Sequence, residues 1–129
     1  MGLKRVLVAA LLSLPLLAVA ENTLQGNWVL PAPNNPQCGE HYQFQDGGEF
    51  AVNSDQEQVT GRYDVVQTGS LPQLNMVFVT DNNMADCFGN QVDQTGQTDT
   101  HFLKWEHENM VQFCSDVLGQ NCPVSLYRQ

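Results

Sequence analysis

The chain reads as an all-β protein, a small antiparallel up-and-down β-barrel of about eight strands stapled by disulfides, with a β-sandwich as the alternative. Three observations predict this. Past residue 20, short runs of alternating apolar and polar residues recur about every ten residues, whereas no window of that length keeps helical apolar spacing without a Gly, Pro or Asn interruption. Two segments form hairpins on paper whose opposed residues match in character. All four cysteines also lie past residue 20.

The first element is not part of the barrel. Lys4 and Arg5 precede an almost unbroken apolar run from Val6 to Val19, and Ala18-Val19-Ala20 supplies the small residues of a cleavage site. Residues 1–20 are therefore expected to be a signal peptide and residues 21–129 a single β-barrel domain. The apolar run of about fourteen residues falls short of the roughly twenty that span a bilayer. No cysteine stands near residue 20, so a lipid anchor is not expected, and once the signal is removed no membrane association is. Loss of Lys4 and Arg5 leaves fourteen acidic against three basic side chains, a formal charge of −11. That balance excludes nucleic acid and anionic membranes, which need a positive surface. It fits solubility, or attraction to a cationic protein partner.

Candidate strands follow in order at 24–30, 40–45, 49–53, 58–67, 73–80, 88–94, 98–106, 110–115 and 123–128. PAPNNPQCG (31–39), with three prolines, and DNNMAD (81–86) are expected as loops. Side chains on a strand alternate faces, so a hairpin's loop length can be tested by parity. In EHYQFQDGGEFAVN a two-residue loop would set Phe44 against Glu49. A three-residue loop, Asp46-Gly47-Gly48, sets Phe44 against Phe50 and Tyr42 against Val52, with Gly48 at the left-handed position. In THFLKWEHENMVQFCS the loop His107-Glu108-Asn109 sets Trp105 against Val111 and Leu103 against Phe113, and Asn109 tolerates the left-handed position. Lys104 and Gln112 then share the wet side.

Four cysteines in a small exported domain read as two disulfides. Zinc would call for close pairs such as C-x-x-C, and none is present. Of three connectivities the favoured one is Cys114 with Cys122, around the turn-forming Gly119-Gln120-Asn121, and Cys38 with Cys87. The expected location is periplasmic or secreted.

Gly26 and Trp28 on the first strand, with Arg128 on the last, resemble the pattern of the calycins, which include lipocalins and fatty-acid-binding proteins. The resemblance covers the two ends of the mature chain. It implies a lipocalin-like barrel in which Gly26, Trp28 and Arg128 provide structural closure, the guanidinium lying over the indole face. The sandwich alternative would use Cys87, Trp105 and Cys114, an order seen in immunoglobulin domains, but 27 residues between the cysteines is tight for it.

Chemistry is sparse. His101 and His107 are six residues apart on one strand, about 20 Å, and His41 lies on the face opposite Tyr42 and Phe44, so no shared metal site and no cofactor are expected. The acidic stretch 80–99, with Asp81, Asp86, Asp93 and Asp99, fails the calcium-loop spacing and reads as a solvated loop and strand edge. No nucleophile elbow, phosphate loop or H-E-x-x-H occurs. A carboxylate pair such as Glu40 and Asp64 has no geometry to recommend it, and an enzyme is not expected. The leading expectation is a monomeric, non-enzymatic binding protein holding a small apolar or amphipathic ligand in or at the mouth of the barrel. Its candidate lining is Trp28, Tyr42, Phe44, Phe50, Leu103 and Trp105, together with Phe113. The alternative is an acidic periplasmic interaction protein, such as an inhibitor of a cationic hydrolase, working through its outer face or the 31–38 loop. Gly61 and Gly89 would either open interior space or mark bends.

Overall fold

The computed structural model of the chain describes Gly2 and residues 22–129. Apart from Gly2, the segment 1–20 expected to be a signal peptide lies outside the described residues. Eight strands form a closed barrel: β1 Gly26–Ala32, β2 Asn35–Phe44, β3 Glu49–Ser54, β4 Glu57–Val66, β5 Gln73–Asp81, β6 Thr98–His107, β7 Met110–Cys114 and β8 Val124–Arg128. Each strand is antiparallel to the next, and β8 closes on β1 through Trp28 opposite Arg128 and Val29 opposite Tyr127. Closure removes the free sheet edges that a sandwich would keep. The disulfides are Cys38–Cys87 and Cys114–Cys122.

Both hairpins pair the faces that alternation requires. Phe44 opposes Phe50 and Tyr42 opposes Val52, and Gly48 takes the left-handed conformation at φ 82°. Leu103 opposes Phe113 and Trp105 opposes Val111. The second turn, however, is tighter than expected. His107 pairs with Met110, leaving only Glu108 and Asn109 in the loop, and the extra residue is absorbed as a bulge between Trp105 and His107.

Two expectations are overturned. The proline-rich segment 31–39 is not an open loop, because β1 runs to Ala32 and β2 starts at Asn35, with Pro31 opposite Gly39. Its prolines are accommodated because the register shifts there, and a bulge is one place where a missing N–H does no harm. The segment 88–94 is not a strand. Its backbone is held by nearby side chains instead. Asp86 Oδ1 accepts the N–H groups of Phe88 and Asn90 at 2.9 and 2.8 Å, and Asp81 Oδ2 accepts that of Gln94 at 2.9 Å. Such local bonds compete with strand pairing.

The interior has two levels. In an up-and-down barrel the starts of odd strands and the ends of even strands meet at one end. At that end Trp28, Phe44, Phe50, Leu74, Leu103 and Leu126 are buried and fill the lumen. Gly61 belongs to this packing: an added methyl would run into the Phe50 ring and the Val77 carbonyl. It therefore makes room for a ring rather than for a ligand. Arg128 caps this end, its guanidinium carbon 4.2 Å from the Trp28 ring centroid. The cap is fastened by bonds from Arg128 to the carbonyls of Thr23 and Gln25 at 2.8 and 2.9 Å, and by the Trp28 indole N–H donating to Leu24 at 2.8 Å.

Candidate functional site

At the opposite end the lumen is not filled. A cavity of about 490 Å³ lies there, walled by the barrel's inner face and by the segment after β5. Its apolar wall includes Val52, Val59, Met76, Phe78 and Phe113, all inward positions near the ends of their strands. Phe88 and Val92 approach from the segment that failed to become a strand.

A row of polar residues crosses this wall. Cross-strand pairing sets Glu40 of β2 beside Ser54 of β3, and Ser54 beside Glu57 of β4. Since Glu40 is two residues before Tyr42 and Glu57 two before Val59, alternation turns both carboxylates inward. Both are almost completely buried, Glu40 at 9% exposure and Glu57 at 6%. Asp86 joins them because Cys87 is tied to Cys38 and its N–H donates to Ser54 Oγ at 2.9 Å. One carboxylate oxygen from each of Glu40, Glu57 and Asp86 lies within 4.8 Å of the others.

The electrostatics follow from burial and like charge. Burial pushes the Glu40 carboxyl above its usual range, against the hydrogen bond from Ser54, and the charge of Asp86 adds to the rise. Glu57 is pushed up to about 7 by burial first, and then by the charges of Asp81, Asp86 and Glu40. The Tyr42 hydroxyl donates to Glu40 Oε1 at 3.3 Å, and burial together with the Glu40 charge holds the phenol protonated. His101 lines the cavity, stacked on Phe113 with ring centroids 5.0 Å apart. Burial lowers its pKa below the ordinary imidazole value, opposed by Asp99.

The structure distributes the sequence-derived candidates between the two levels. Tyr42 lines the cavity, as does Phe113. Trp28, Phe44 and Phe50 belong to the filled end, and Leu103 and Trp105 border a separate hollow of about 230 Å³ beside Leu24. Gly26, Trp28 and Arg128 do come together. Gly26 has φ 126°, and a methyl there would meet Arg128 Nη1, so the glycine of the Gly-x-Trp pair makes space for the cap. The three histidines stand apart: His41 is exposed beside Gln129, His101 is in the cavity, and His107 is exposed at the β6–β7 turn. Glu40 and Asp64 are on opposite faces, Asp64 accepting a hydrogen bond from Asn75 outside. Of the acidic stretch, Asp86 and Asp99 border the cavity, Asp81 neighbours Glu57, and Asp93 is at the surface bonded to Thr95.

Sequence reasoning did not single out Glu57, Met76, Phe78 or the inward aim of Glu40. The signal was present, because the parity that turns Tyr42 inward does the same for Glu40. Comparisons with protein-family models, curated proteins and solved structures find no match to this chain.

Proposed function

We propose that the protein is an exported, periplasmic binding protein that holds a small amphipathic ligand in the cavity at the open end of its barrel. The observation that carries this is the unequal filling of the lumen. An eight-stranded barrel is just wide enough for side chains to fill, and aromatic residues do fill one end. The other end keeps about 490 Å³, within the range of small-molecule sites, with a mainly apolar wall and a few convergent polar groups. Two disulfides are compatible with an oxidising compartment. The charge of the described chain rests on Asp and Glu, and part of that acidity faces the cavity rather than solvent.

The test is a native mass measurement on protein purified from a periplasm without denaturation, alongside a Val59→Trp variant that fills the cavity. Extra mass on the wild type that is lost on denaturing and absent from the variant supports the proposal. A bare chain in both cases contradicts it and directs the search to a protein partner.

A further inference from the structure

Resting on the cavity as the ligand site, the charge at its wall narrows the ligand class. The described chain has three basic side chains besides histidine, and none reaches the carboxylates. Arg62 is exposed on the outer face, Lys104 reaches toward Gly119 outside the barrel, and Arg128 caps the far end. The charges that raise the pKa of the buried Glu57 are negative, those of Asp81, Asp86 and Glu40. Asp81 also faces it, a second carboxyl rather than a cation. Glu57 is thus a carboxyl with 6% exposure, facing a cavity, beside which the described residues place no cation. Above pH 7, where Glu57 gives up its proton, a cation from a ligand would balance its charge.

We infer that the ligand is an amphipathic amine, its ammonium seated among Glu40, Glu57 and Asp86 and its apolar body against Val59, Met76, Phe78 and Phe113. An ammonium has three N–H donors and no acceptor, which matches three converging carboxylates. A hard metal ion would use the carboxylates too, but it takes six to eight oxygens and has no use for an apolar wall. The rings of Tyr42, Phe78 and Phe113 border the same space and favour a cation over an anion.

The experiment compares three probes with one chain and three head groups: octylamine, 1-octanol and octanoate, titrated calorimetrically into the full mature protein at pH 8 and pH 5.5. Facing groups that titrate or carry charge are Glu40, Tyr42, Glu57, Asp81, Asp86, Asp99 and His101. Between those pH values Glu57 takes up a proton and loses its charge, with Glu40 shifted in the same direction, and this change opposes an amine. Octylamine is expected to bind at least tenfold tighter than octanol at pH 8, with octanoate weakest, and to lose that advantage at pH 5.5. Glu57→Gln, with Glu40→Gln as a second variant, should remove most of the preference for octylamine over octanol. Octanol binding as tightly as octylamine overturns the amine inference and leaves the cavity proposal standing. Calcium chloride displacing octylamine at micromolar concentration overturns it in favour of a metal site. Absence of binding by all three probes overturns both.

Discussion

Arg128 lies over Trp28, 4.2 Å from the ring centroid, at the point where the last strand pairs with the first. The contact joins β8 to β1 and caps one end of the barrel, and the larger space, about 490 Å³, lies at the other end. Trp28 is fully buried, so Trp28→Ala should cost about 3–5 kcal/mol in urea denaturation. Arg128→Ala should cost about 0.5–2 kcal/mol, the range for a guanidinium over an indole. Equal stability of the Trp28 variant and wild type would remove Trp28 from the core.

Gly61 is expected to be intolerant of even one added carbon. Gly61→Ala would press on the Phe50 ring and on the Val77 carbonyl, and the latter is backbone with little freedom to move. Overpacking of this kind costs roughly 1–3 kcal/mol. Denaturation midpoints of wild type and variant read this directly, and an unchanged midpoint would mean that the ring does not sit against β4.

Stability should depend on pH through Glu57. Its folded pKa, about 7, is above the ordinary 4.5, so the folded state binds the proton more tightly than the unfolded chain. The stabilisation is complete below about 4.5 and lost as pH rises through 7. Glu40 acts in the same sense, and His101, whose pKa is lowered, acts in the opposite one. The difference in melting temperature between wild type and Glu57→Gln isolates the effect: the variant should gain on the wild type from pH 5 to pH 8. A constant difference would contradict the burial of Glu57 among like charges.

The two disulfides should differ in worth. Cys38–Cys87 spans 49 residues and Cys114–Cys122 spans 8. In the chain-entropy model these correspond to about 4 and about 2.5 kcal/mol. Replacing Cys38 and Cys87 together with Ser should therefore lower stability more than replacing Cys114 and Cys122. It should also speed hydrogen exchange of the backbone N–H at position 87, which in the wild type donates to Ser54. The reverse order of stabilities would contradict this ranking.

Much of the barrel was legible because strand side chains alternate strictly. Opposing Phe44 to Phe50 and Leu103 to Phe113 needed only that rule and the identities of the residues. Closure was legible from Gly26, Trp28 and Arg128, two of them directly opposed in the ladder. What was missed has a common origin. Glu40 and Glu57 obey the same alternation but turn carboxylates inward, against the expectation that ionisable groups face water. The segment 88–94 alternates like a strand, yet Asp81 and Asp86 supply its hydrogen bonds from side chains, a competition that pattern alone does not reveal. The aromatic residues offered as ligand contacts divide between a packed end and an open one, a distinction that depends on where each lies along its strand and not on its type.

The most direct measurement is NMR of the isotopically labelled protein during titration with 1-octanol, a neutral probe that tests the cavity independently of charge. Signals of the Met76 methyl and the Phe78 and Phe113 rings should shift and saturate, while the Trp28 indole N–H, bonded to Leu24 at the capped end, stays in place. Shifts centred on Trp28 and Phe44 with Met76 unmoved would place the space at the wrong end of the barrel and contradict the site.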